Sequence, residues 1–203
     1  MPPLRLVAIV AVLVLVAACA QPEARYPQSL APCDLLPTEA AHKLTDVGAK
    51  LGGPQPKESQ FIVPDDFCLW RYKQEKAHFW SDYKRGPVER RVFLDVNVIS
   101  ADSGGAPKAS TSFAEERARR HQNDERDVTI PGIGDEAYAV TPLIFEKRPE
   151  TTVEFRRSNA LVTVTLSGSD CCVGNGKADI PPDKRRKLVV ALAQAVDDYL
   201  LQR

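Results

Sequence analysis

Hydrophobic positions follow three rhythms along this chain, and each predicts a different kind of element. The first is an unbroken apolar run from Leu6 to Ala18, behind Arg5, the only charge before Glu23. Its 13 residues fall short of the roughly 20 a membrane-crossing helix needs, so the run has the plan of a signal peptide. The second rhythm is alternation. Cys68-Leu69-Trp70-Arg71-Tyr72 alternates as a strand does, and Val92, Leu94, Val96 and Val98 repeat on one face of a segment ending at Ile99. These two strands are expected to be neighbours across a long connection, with Trp70 in the core on the same face as Cys68. Thr151 to Arg157 and Ala160 to Leu166, joined at Ser158-Asn159, form the clearest hairpin. The third rhythm is helical: after Pro181-Pro182-Asp183, Leu188, Leu192, Ala195, Val196 and Tyr199 recur at a spacing that gives one broad buried face.

Breakers and polar stretches divide the rest. Ala20 to Pro32 is polar and proline-bearing and reads as a linker. Pro37-Thr38-Glu39 opens a short helix with Ala40, Ala41 and Leu44 facing inward. Ser100 to Ser110, rich in Ser, Gly and Ala, reads as a loop. Ser112 and Glu115 then make a capping box for a mostly solvated helix to about Asp124, with Glu115 to Arg119 and Glu116 to Arg120 as ion pairs at four-residue spacing. Ile130-Pro131-Gly132-Ile133-Gly134 is a turn before a strand through Ala137, Tyr138 and Val140. The predicted order is helix, strand, strand, helix, strand, strand, strand, helix: an α+β fold with helices packed on an antiparallel sheet. Residues 1–18 form the signal peptide, 19–32 the linker and 33–203 one globular domain.

The apolar run ends Val16-Ala17-Ala18-Cys19, which resembles the lipobox of bacterial lipoproteins. Small residues suit the groove of the peptidase, and the thiol of Cys19 is the nucleophile that takes up a diacylglycerol. The alternative is an ordinary secreted protein cut at Ala18 or Ala20. Five cysteines are an odd number for an exported chain, and lipidation of Cys19 accounts for the odd one. Cys33, Cys68, Cys171 and Cys172 remain, an even set in an oxidising compartment with three possible connectivities. Cys33 with Cys68 is the leading pairing; it closes a loop of about 36 residues and adds about 4 kcal/mol in the chain-entropy model. Cys171 and Cys172 are adjacent, and their Cα separation of about 3.8 Å is short for a disulfide. They form either a strained vicinal bridge or staples crossed to Cys33 and Cys68; a redox switch or a stiff ligand contact is the functional alternative.

Charge removes one class of partner. Lys plus Arg and Asp plus Glu both number 27, so no global field favours nucleic acid.

Taken in order, the lipobox, Pro32-Cys33-Asp34-Leu35-Leu36, Cys68-Leu69-Trp70, Gly132-Ile133-Gly134-Asp135-Glu136-Ala137 and the terminal amphipathic helix resemble the small actinobacterial cell-envelope lipoproteins grouped as a domain of unknown function. They are also similar to the extracellular sensor domains of some actinobacterial receptor kinases. The resemblance implies an extracytoplasmic α+β domain, a Cys33 to Cys68 disulfide, a binding role and no established enzymatic activity. Cys171-Cys172 is not part of the shared pattern.

Candidate chemistry is sparse. Ala40-Ala41-His42 and Asp102-Ser103-Gly104-Gly105 imitate fragments of a chymotrypsin-like protease, but His42 falls on a predicted helix and the chain between them is too short for that fold. Gly176-Lys177 imitates a phosphate loop without its opening glycine, and Ala178 stands where a Ser or Thr binds the metal. His42, His78 and His121 lack ligand spacing, so neither a metal site nor a cofactor is expected. Asp65-Asp66, Asp135-Glu136 and Asp197-Asp198 could serve acid and base roles in a hydrolase, with solvated charge as the plainer reading. The stretch His78 to Tyr83 is the densest in aromatics; Phe79, Trp80 and Tyr83 could stack a sugar ring or grip a lipid head group, or simply cover the sheet. Lys184-Arg185-Arg186-Lys187 could touch anionic lipid or wall polymer, or be a solvated face. The sequence therefore predicts a non-enzymatic envelope lipoprotein, anchored on the outer face of the cell membrane, that binds a wall glycan, a lipid or a protein partner. An extracytoplasmic hydrolase and a purely structural accessory subunit of a membrane complex are the alternatives.

Overall fold

The computed structural model of the protein describes residues 24–27, 30–35, 60–62, 67–73, 89–122, 126–141, 150–170 and 178–203. Along the chain these form α1 (Pro32–Leu35), β1 (Gln60–Ile62), β2 (Phe67–Lys73), β3 (Glu89–Val98), a 3-10 turn (Ala101–Ser103), α2 (Gly105–Gln122), β4 (Arg126–Thr129), β5 (Glu136–Thr141), β6 (Glu150–Arg157), β7 (Ala160–Asp170), β8 (Ala178–Asp179) and α3 (Pro182–Leu201). The strands make one antiparallel sheet in the order β1-β2-β3-β7-β6-β5-β4, with β8 pairing the far end of β7. This is the α+β architecture that the hydrophobic pattern predicts. The helix expected from Pro37 lies outside the described residues.

Strand pairing follows the pleat. Cys68 pairs with Leu94 and Trp70 with Val92, so the two alternating segments are neighbours as expected. Val92, Leu94, Val162, Val164, Leu166, Val153 and Phe155 are buried on one face, where α3 delivers Val189, Leu192, Val196 and Leu200. Each such side chain contributes roughly 1.5–3 kcal/mol on burial, which makes this face the principal core. The hairpin turns at Ser158, whose φ of 52° is the positive value that two-residue hairpin turns need at their first position.

Two helices depart from expectation. α2 begins at Gly105, not at the predicted Ser112 cap, so most of the expected loop from Ser100 to Ser110 is a 3-10 turn followed by helix. The Ser100 carbonyl accepts from the amides of Ser103 and Gly105, and Gly104 O accepts from Lys108 N. Backbone groups thus open the helix without a side-chain cap, and its first turns bury Ala106 and Ala109. Within it Glu116 and Arg120 pair as predicted, at 3.2 Å, while Arg119 bonds Glu116 at three-residue spacing. α3 buries Arg185, Val189, Leu192, Ala193, Val196, Asp197 and Leu200, a stripe displaced from the predicted one. Hydrophobic periodicity passes over Arg185 and Asp197 because both are charged; Leu188 and Tyr199 pack half-buried beside the core.

The stretch read as linker is partly built into the domain. Tyr26 is buried, its amide donates to Asn159 Oδ1 at 3.0 Å and its carbonyl accepts from Asn159 Nδ2 at 2.7 Å. Its hydroxyl donates to the Leu200 carbonyl at 3.1 Å. Asn159 also donates to Ile99 O at 2.9 Å, so one amide side chain ties the N-terminal segment to the hairpin turn and the end of β3. Cys33 and Cys68 are joined in a disulfide with a Cα separation of 4.9 Å, which fixes α1 on β2.

Candidate functional site

The sheet face opposite the principal core is polar, and α2 crosses only part of it. Strand register lines up Asp95, Thr163, Glu154 and Tyr138 in one row across β3, β7, β6 and β5. Phe113 of α2 packs on Tyr138, Val140 and Leu161, with the rings of Phe113 and Tyr138 5.1 Å apart. Beside this contact opens a cleft of about 360 Å³, lined by Ser112, Phe113, Glu116 and Arg120 from α2 and by Asp95, Asn97, Glu154, Leu161 and Thr163 from the sheet. Ser112, Glu116 and Arg120 share one side of the helix because four-residue steps return to the same face.

The charged groups of the cleft are held in place. Glu154 is 6% exposed. One of its oxygens accepts from Arg120 Nη2 and the other from the Tyr138 hydroxyl. Tyr138 is fully buried, and burial first, then the hydrogen bond and charge of Glu154, pushes its phenol well above the usual range. Glu116 accepts from Arg119 Nε and Nη2 at 2.8 and 2.5 Å, and that pairing holds its carboxyl below the ordinary value. Behind the cleft, Arg117 lies over the Tyr138 ring at 5.1 Å and bonds Asp127 and Thr129 at 2.5 and 2.8 Å. His121 Nε2 reaches the other oxygen of Asp127 at 2.8 Å. Salt bridges therefore clamp α2 to the edge strand β4.

The neutral groups are different. Among the described residues, Asn97, Ser112 and Thr163 make no side-chain hydrogen bond, although all three line the cleft. They come from β3, α2 and β7, so three elements converge on one volume with both donors and acceptors to offer. No histidine or cysteine is found among the described lining residues, and no group of three or more His, Cys, Asp or Glu gathers as metal ligands would among the described residues. Such a cleft can hold a polar molecule by hydrogen bonds.

The residues singled out by sequence are scattered by comparison. Cys19, Phe79, Trp80, Tyr83, Cys171 and Cys172 lie outside the described residues, as do His42, His78 and Asp65-Asp66. Of the paired acids, Asp135 and Glu136 both bind Arg156, at 2.9 and 2.8 Å. Asp197 is 1% exposed at its side chain and accepts from Arg157 Nε and Nη2 at 2.8 and 2.5 Å and from Gly134 N at 2.9 Å. Asp198 is exposed and pairs with Gln194. These carboxylates act as structural anchors. The basic block is split: Arg185 is 2% exposed and bonds Thr151 Oγ1 at 2.9 Å, Arg186 reaches Asp183, and of the four only Lys187 is exposed. Burial and the nearby Arg90 lower the Lys184 amine. The four charges form neither a basic patch nor a solvated face.

Glu154 was not among the sequence candidates, because one carboxylate in an alternating Thr and Val strand reads as ordinary solvent-facing polarity. Glu116 and Arg120 do show as a pair from their four-residue spacing, and that stripe is the one local signal that leads to the cleft. No family model matches the chain, and no curated protein or solved structure matches it.

Proposed function

We propose that this chain is an exported lipoprotein, held by lipid on Cys19 at the outer face of the cell membrane, whose domain binds a small polar envelope ligand in the cleft beneath α2. The observation that carries the binding reading is the division of labour in the cleft. Glu154, Glu116 and Arg120 are engaged with each other and with Tyr138 and Arg119, while Asn97, Ser112 and Thr163 are left to a ligand. A volume of about 360 Å³ is at the lower end of ordinary ligand pockets and suits one ring-sized molecule. Catalysis by Glu154 would first require breaking its bonds to Arg120 and Tyr138, which favours binding over hydrolysis.

The anchoring reading rests on the lipobox at Cys19 and is supported by the docking of Tyr26. Only seven positions separate Cys19 from Tyr26, a span of at most about 25 Å. A lipid on Cys19 would hold the end of the domain formed by the Ser158-Asn159 turn and the last turn of α3 next to the bilayer. Among the described residues, no helix is long and apolar enough to cross a membrane, so retention there would depend on the lipid. Mass spectrometry of the mature N-terminus tests this reading directly. Diacylglycerol and fatty acid on Cys19, with release of a Cys19→Ala variant from the membrane fraction, is the expected result; an unmodified Cys19 in membrane-bound protein contradicts it.

A further inference from the structure

We infer that the second half of α2 is a lid over the cleft, latched to the sheet by ion pairs, and that Asp127 is the group that holds it shut. Its part as a gate rests on the binding reading above; the motion itself does not. The two halves of the helix are fastened in different ways. From Gly105 to Phe113 the fastening is burial: Gly105, Ala106, Ala109 and Phe113 are buried, and Phe113 packs on Tyr138, Val140 and Leu161. From Ala114 to His121 no residue is buried. Charge joins that half to the sheet instead. Arg117 bonds Asp127 and Thr129 of β4 at 2.5 and 2.8 Å, His121 reaches the other oxygen of Asp127 at 2.8 Å, and Arg120 bonds Glu154 of β6.

An ion pair whose cation is open to solvent is exchanged for water at little net cost. Arg117 and Arg120 are half-buried and His121 is exposed, and lifting the lid admits water to the carboxylates left behind. Withdrawing Phe113 would instead put a whole aromatic ring into water. The second half of α2 therefore parts from the sheet before the first does. It leaves as one piece, because Ala114 to Gln122 consists of Ala, Glu, Arg, Gln and one His, nearly all strong helix formers. The bend falls at the junction, where Ser110, Thr111, Ser112 and Phe113 are weaker ones. Gln122 and Arg126 are four positions apart, at most about 14 Å, so the lid tilts and stays tethered to β4. Ser112, Asn97 and Thr163 belong to the fixed parts, whereas Glu116 and Arg120 ride on the lid. Opening thus removes one wall of the cleft and leaves the groups that face a ligand in place.

Arg117 lies over the Tyr138 ring at 5.1 Å, so an opened lid uncovers Tyr138 while Phe113 stays packed. Hydroxyl-radical footprinting of the full-length protein, read by mass spectrometry, measures both side chains. Tyr26, buried between the hairpin turn and the end of α3, is the control. In Asp127→Asn, which keeps the shape of the side chain and takes away its charge, oxidation of Tyr138 is expected to rise by about threefold or more, with Phe113 and Tyr26 unchanged. His121→Ala, a change at an exposed position, is expected to give a smaller rise of the same kind. Tyr138 as well protected in both variants as in the parent overturns the latch. Phe113 rising together with Tyr138 overturns the lid, since the whole helix has then left; Tyr26 rising with them shows general loosening and overturns it too. No ligand enters the measurement, so the lid can fail while the binding reading stands.

Discussion

Asp197 of the last helix and Arg157 of the central hairpin form a two-pronged ion pair in which the carboxylate is 1% exposed at its side chain and the guanidinium 17%. The same carboxylate accepts from the amide of Gly134, so three segments distant in sequence meet at one buried charge. Its neighbour Asp198 points the other way, to Gln194 on the helix surface. Removing Asp197 leaves a largely buried arginine with only its longer contact to Asp135, at 3.6 Å, a loss that typically costs about 3–5 kcal/mol. Asp197→Ala is expected to lose that much in urea denaturation, and Asp198→Ala to stay within about 0.5 kcal/mol of the parent.

The turn that delivers Gly134 makes a second contrast. Gly132 and Gly134 both have positive φ, 81° and 60°. A Cβ on Gly132 meets nothing within 4 Å, whereas one on Gly134 falls 2.4 Å from the Arg156 carbonyl oxygen. Gly132→Ala is expected to cost about 1–2 kcal/mol from backbone conformation alone. Gly134→Ala adds a clash with backbone and displacement of the Asp197 bond, at least about 3 kcal/mol in total, readable as the difference between two melting curves.

Alkaline pH probes the buried phenol. The folded pKa of Tyr138 is raised by burial and by Glu154, and that of Tyr26 is raised mainly by burial. In both cases the unfolded chain gives up its proton first. The stabilisation is complete below about pH 10, the ordinary tyrosine value, and is lost as pH climbs above it. Urea midpoints measured from pH 8 to 11 are expected to fall beyond pH 10, and Tyr138→Phe to flatten that decline. At neutral pH the same variant is expected to lose about 1.5–3 kcal/mol with the hydrogen bond to Glu154.

The disulfide joins Cys33 to a fully buried Cys68. Reduction frees the intervening loop in the unfolded state and is expected to lower stability by about 4 kcal/mol. Burial of Cys68 also makes reduction slow without denaturant, which thiol counting over time in dithiothreitol, with and without urea, measures directly.

Legibility in the sequence follows how local each signal is. The hairpin from Thr151 to Leu166 is readable because its alternation and its two-residue turn are contiguous. β4 (Arg126–Thr129) is not, since a strand of Arg, Asp, Val and Thr gains its place from pairing with β5 and from Arg117 bonding Asp127 and Thr129. The start of α2 is hidden by Ser and Gly, whose propensities favour a loop, while the burial of Ala106 and Ala109 that outweighs them is a tertiary effect. The cleft was half legible. Glu116 and Arg120 could be paired from their spacing, but the row Asp95, Thr163 and Glu154 exists only once β3, β7 and β6 are side by side.

The clasp of Tyr26 by Asn159 and Leu200 sets a timetable for folding of a chain made from its N-terminal side onward. Tyr26 is made well before the groups that receive it, which are carried by the hairpin turn and the final turn of the last helix. Cys33 and Cys68 can be joined before the later strands and the last helix exist. The seam between Tyr26, the hairpin turn and the last helix can close only once Leu200 is in place, so a chain truncated before Leu200 would leave that end of the domain open to proteolysis.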